Sequence, residues 1–128
     1  MKLNISDKNV SLIIDPLYVT EEEWVYMDVS IQIESISFCE SIELHCSDFE
    51  SLYDLFKNIN NDSSLKWESM EEKMFIELNR SEHDCICNVT YNIGDCRENF
   101  IHAKITLHEC EIQDVVSQLF SIISWMEK

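Results

Sequence analysis

The 128 residues carry 25 acids against 9 bases, a formal net charge of -16, with 45% hydrophobic content and only one glycine and one proline. This composition suits one folded domain with a sizeable core and excludes a disordered chain, a flexible linker or a glycine-rich phosphate loop. Acids are spread along the whole length, so the charge repels nucleic acid and anionic membrane and attracts basic partners.

Leu3 and Ile5 alternate with polar residues, and Val10, Leu12 and Ile14 do the same, which predicts two short strands, the second ended by Asp15-Pro16. A clearer strand follows: Val25, Met27, Val29, Ile31 and Ile33 share one face, and Tyr26, Asp28, Ser30 and Gln32 share the other. At Glu34-Ser35 the phase flips to Ile36, Phe38, Ile42, Leu44 and Cys46, which predicts a hairpin turn there. Ser47 with Glu50 three residues on forms a candidate capping box for a helix carrying Phe49, Leu52, Tyr53, Phe56 and Ile59. Polar residues 58 and 60–62 end that helix.

The second half has the same order. Short strands are expected over Leu65 to Glu68 and Met74 to Asn79. A longer one presents Cys85, Cys87, Val89, Tyr91 and Ile93, and Gly94-Asp95 makes the turn into Ile101, Ala103, Ile105 and Leu107. A closing helix aligns Ile112, Val115, Val116, Leu119, Ile122, Ile123 and Met126, with Phe120 beside that stripe and Trp125 off it. The expected architecture is a single α+β domain over 1–128, with antiparallel β-meanders each followed by a helix (ββββα-ββββα). Its two similar halves are roughly 1–62 and 63–128. Ile42-Glu43-Leu44-His45-Cys46 echoes Ile105-Thr106-Leu107-His108-Glu109-Cys110. Duplication and independent recruitment of similar strand–helix junctions both account for the echo.

Six cysteines occur without a secretion signal or a long apolar run, so they are expected to be free thiols in a reducing, cytoplasmic setting. His83, Cys85 and Cys87 alternate on one strand face, and Cys96, His102, His108 and Cys110 are further candidate metal ligands. The C-x-C spacing has no matching second knuckle, and Cys85 and Cys87 continue an apolar face, so core packing is the better reading and no metal is expected. Nucleophilic cysteine catalysis lacks any local signature, so no catalytic residue and no cofactor are assigned. The densest acid clusters each adjoin a tryptophan: Glu21, Glu22 and Glu23 with Trp24, and Glu68, Glu71 and Glu72 with Trp67. Acids beside aromatic anchors suit a protein interface, because aromatics concentrate binding energy and charge steers encounter. The alternative is a solvated loop whose tryptophan packs inward.

In size, acidity and whole-chain pattern the sequence resembles the small acidic immunity proteins of bacterial polymorphic and contact-dependent toxin systems, including the wall-associated-toxin immunity family. The segments that carry the likeness are the helix Asp48-Phe49-Glu50-Ser51-Leu52-Tyr53-Asp54-Leu55-Phe56, the strands Leu65-Lys66-Trp67-Glu68 and Phe75-Ile76-Glu77-Leu78, and the strand Ile101 to Leu107 leading into the closing helix. That resemblance implies a chain that binds a cognate toxin domain, a basic nuclease, and occludes its active site, with neither nucleic acid nor membrane as a partner. A general interaction domain without a toxin is the runner-up, and a metal-binding or thiol enzyme comes third. The doubled strand-helix order is also similar to the Whirly fold, from which only the architecture carries over, since this charge lacks the positive groove of single-strand binding.

Overall fold

The computed structural model describes residues 1–94 and 99–128. Ten elements follow in the expected order: β1 (Leu3–Ser6), β2 (Val10–Val19), β3 (Trp24–Ile33), β4 (Ile36–His45), α1 (Cys46–Asn58), β5 (Ser64–Glu68), β6 (Met74–Arg80), β7 (Asp84–Asn92), β8 (Phe100–His108) and α2 (Glu109–Met126). The strands form two four-stranded antiparallel sheets, each a simple meander, β1-β2-β3-β4 and β5-β6-β7-β8.

Both sheets and both helices share one hydrophobic core. Period-two alternation sends Val25, Met27, Val29 and Ile31 of β3 inward, together with Cys85, Cys87, Val89 and Tyr91 of β7. Core packing therefore accounts for Cys85 and Cys87. Burial pushes the Cys87 thiol far up, and Cys85 moves the same way for the same first reason. α1 buries Phe49, Leu52, Leu55 and Phe56, and α2 buries Ile112, Val115, Leu119 and Ile122. Among the described residues no helix is long and apolar enough to cross a membrane.

Three local expectations change. Pro16 does not end β2, which continues to Val19. β1 pairs only as far as Ile14, so at Pro16 the missing N–H interrupts no ladder on that side. Pairing with β3 becomes irregular just after it. The cap of α1 is His45 rather than Ser47, because β4 stays extended through His45. Ser47 N–H donates to His45 Nδ1 at 3.2 Å, and His45 N–H donates to Asp48 Oδ2 at 3.1 Å, a capping box built two residues earlier with histidine and aspartate. Finally, Gly94 is at φ +60, as a turn there requires, whereas Asp95 and the candidate ligand Cys96 lie outside the described residues.

Polar contacts pin the two sheets. Asp7, in the β1–β2 turn, accepts from its own turn at Asn9 and Val10 (2.8 and 3.0 Å) and from Thr106 N–H of β8 (2.9 Å). Glu40 of β4 faces inward at the sheet edge and meets Lys73 at 2.8 Å and Gly94 N–H at 3.2 Å. The Lys73 ammonium lies 5.1 Å from the Tyr91 ring centre. Burial acts to raise the Glu40 carboxyl, but Lys73, Gly94 N–H and Tyr91 outweigh it and hold it below its ordinary value. Burial first, then the Glu40 charge, pushes the Tyr91 phenol far up.

Candidate functional site

A β-bulge builds the most distinctive surface. Pro16 pairs with Met27 and Tyr18 pairs with Tyr26, so Leu17 is the extra residue opposite no partner. In a regular ladder Leu17 would have opposed Tyr26 and Tyr18 would have turned to the core face. The bulge instead brings Tyr18 out beside Tyr26. Their rings stack at 4.8 Å with 16° between planes, although Tyr18 is 54% and Tyr26 38% exposed. These exposed stacked tyrosines, near the β2–β3 turn end of the sheet, are not needed by the core beneath them.

Carboxylates border this stack. Glu43 of β4 lies across from Tyr26, and its hydrogen bond, then its charge, raises the Tyr26 phenol. One row along, Asp28 and Asp15 are direct cross-strand partners, a like-charge pairing that costs stability. Ser41 Oγ donates to Asp28 Oδ1 at 2.6 Å and offsets part of that repulsion. Among the described residues Asp15, Asp28 and Glu43 make no ion pair.

The predicted cluster Glu21, Glu22, Glu23 and Trp24 continues this surface. Thr20 closes the turn, accepting from Glu23 N–H at 3.1 Å through its carbonyl and from Trp24 N–H at 3.1 Å through its hydroxyl. All three glutamates are exposed. Trp24 is half-buried, packed edge-on against His45 at 5.1 Å. Glu23 sits at φ +68, a left-handed conformation that favours glycine.

The second predicted cluster divides. Trp67 is buried and its indole N–H donates to Ser51 Oγ at 2.9 Å and to the Asp48 carbonyl at 3.2 Å, so it is a core residue and not a surface aromatic. The apolar strand and helix around it offer the indole both a packing site and a hydrogen-bond acceptor, which is the inward alternative. Glu68 and Glu71 remain exposed, with Met70 between them. Glu72 is half-buried at φ +56.

Helix α1 brings the two acidic turns together. Cys46 N–H donates to Glu23 O at 2.8 Å, and Met70 N–H donates to Asp48 Oδ1 at 2.9 Å. Both turns are thus tied to the first turn of one helix, where Glu50 is also exposed. The outer face of the second sheet differs: Lys66 pairs with Glu77 at 3.5 Å, and Asn88, Thr90 and His102 lie alongside. Charge there is mixed, whereas the charged side chains in the cross-strand rows of the stack, Asp15, Asp28 and Glu43, are all acids.

Sequence periodicity placed Tyr26 and Asp28 on a polar face but missed Tyr18, Asp15 and Glu43 as their neighbours. The available signal was Pro16 followed by the strand-prone Leu17-Tyr18-Val19, which marks an edge or a bulge as readily as a strand end. Among the described residues no three His, Cys, Asp or Glu side chains are grouped to hold a metal ion.

No family model matches the chain, and no curated protein matches it either. The solved structure of the plant transcriptional regulator PBF-2 is similar over 98% of this chain and 81% of that chain, with a TM-score of 0.60 at 8% identity. The chain has a Whirly-type fold. At that identity the likeness is one of fold alone. In this Whirly-type fold the acidic tyrosine face lies on the first sheet and the two acidic turns meet at the helix that follows it.

Proposed function

We propose that the chain is an immunity protein that binds a basic toxin domain through the outer face of its first sheet and blocks that domain's active site. One observation carries this reading: an exposed aromatic pair, Tyr18 on Tyr26, bordered by carboxylates that make no ion pair among the described residues. Aromatics at a patch centre supply binding energy, and single-sign charge at the rim speeds encounter with an oppositely charged partner. The likeness of the whole chain to acidic immunity proteins supports the same reading. Trp24, Glu21, Glu22, Glu23, Glu68, Glu71 and Glu72 belong to this interface as its border, and Trp67 supports it from beneath by holding α1. Catalysis, metal and cofactor have no role in the mechanism, which is occlusion in the cytoplasm.

Co-expression with the toxin domain encoded beside this chain tests the proposal. The expected result is a complex that survives purification at low salt, weakens steeply as salt rises, and restores growth to cells making the toxin. Absence of both binding and protection at low salt rules it out.

A further inference from the structure

The tyrosine face has a more specific chemistry than negative charge. A blocker that only neutralised a basic surface would need carboxylates, and these are distributed over the whole chain. The first sheet adds two parallel, stacked rings, held in the open by a bulge that the core does not require. Along β3 the stack and the next carboxylate, Tyr26 and Asp28, are two residues apart, about 7 Å along the strand. Glu43 flanks the stack within its own row, on β4 across from Tyr26. A stacked ring pair with anionic groups beside it in its own row and in the next row presents the two features of a stretch of unpaired nucleic acid, stacked bases and flanking phosphates.

We infer that the surface covered by this face is a single-strand nucleic-acid site, in which aromatic side chains stack on Tyr18 and Tyr26 as they would on bases while lysines and arginines meet Asp15, Asp28 and Glu43. Duplex-binding surfaces neutralise phosphates and read groove edges, and the base faces are hidden from them, so exposed rings would add little there. Single-strand sites combine a basic groove with aromatic platforms that stack on any base. The inference rests on the proposed basic partner and narrows it to a site that handles unpaired strands.

Two heptapeptides of equal charge separate the two ideas: one alternating lysine with tryptophan, the other alternating lysine with alanine. Each is titrated into the full chain at low salt by calorimetry, with Tyr18 and Tyr26 followed by NMR. The tryptophan peptide is expected to bind about tenfold tighter than the alanine peptide, with shifts centred on the two tyrosines. The double variant Tyr18→Ala/Tyr26→Ala should lose that tenfold, and Tyr18→Phe/Tyr26→Phe, which keeps the rings, should retain it. Melting curves of the variants confirm folding, since both residues are exposed. Equal binding of the two peptides, or a preference that survives in the alanine variant, overturns the single-strand inference and leaves the basic-partner reading standing. Binding of neither peptide overturns both.

Discussion

Asp48 ties the end of β4, the indole of β5 and the Met70 turn to the start of α1 through three hydrogen bonds. One carboxylate oxygen accepts His45 N–H, the other accepts Met70 N–H, and its carbonyl accepts the Trp67 indole. Alanine keeps the carbonyl bond to Trp67 but removes both carboxylate bonds at a buried position, leaving the His45 and Met70 N–H groups without that acceptor. Asp48→Ala is expected to lower unfolding free energy by about 2–4 kcal/mol, seen as a shift in the urea midpoint with unchanged slope. Asp15 has the opposite role. Its removal relieves repulsion with Asp28, so Asp15→Asn should stabilise the fold by about 0.2–1 kcal/mol while weakening partner binding. A variant that gains stability and loses affinity marks a residue kept for recognition and not for packing. Glu34, at φ +54 in the β3–β4 hairpin, provides the control: Glu34→Gly should stabilise by roughly 0.5–1 kcal/mol without touching the tyrosine face.

Between elements, Asp7 is a clasp with a sign that can be worked out. Burial acts to raise its carboxyl, but N–H donors from Thr106, Asn9 and Val10 together hold it below the ordinary value. A depressed carboxyl contributes stability above its unfolded pKa, and that contribution is lost as pH falls through the folded one. Asp7→Asn should therefore be less stable than the parent near pH 7, and the gap should close as acidity increases below about pH 4, in paired thermal melts. General charge relief at low pH acts on both proteins alike, so the difference isolates the clasp. The β2 bulge yields a second expectation. Deleting Leu17 leaves Pro16 opposite Met27 and Tyr18 opposite Tyr26 in a regular register, so the stack should persist and the melting midpoint should stay within about 4 °C. Loss of the near-ultraviolet tyrosine signal in that deletion would show that the bulge itself orients the rings.

Over the whole molecule, the doubled meander-and-helix order was legible because inward residues recur with period two in every long strand and with helical spacing in both helices. Helix caps were read less well. Serine is the commoner cap, and the preference of His45 follows from where β4 ends, which local propensity does not report. The tyrosine face was half legible for a related reason: Tyr26, Asp28 and the Glu21–Trp24 turn were visible in the chain, while Tyr18 and Asp15 were hidden by reading Pro16 as a stop. Trp67 was misjudged as exposed because its acid neighbours are, although its own phase on β5 points inward. Charge shows the same limit: composition reports its amount, and only the strand register shows that Asp15, Asp28 and Glu43 adjoin the tyrosine stack.

The central claim is that this face, and not the total charge, recognises the partner. Calorimetric titration of a candidate basic toxin domain decides it with two charge-matched triple variants. One is Asp15→Asn/Asp28→Asn/Glu43→Gln on the tyrosine face, and the other is Glu77→Gln/Glu82→Gln/Glu127→Gln elsewhere. The account predicts at least about a tenfold loss of affinity and a flatter salt dependence for the first, with the second close to the parent. Equal losses in the two variants, or a larger loss in the second, would contradict it.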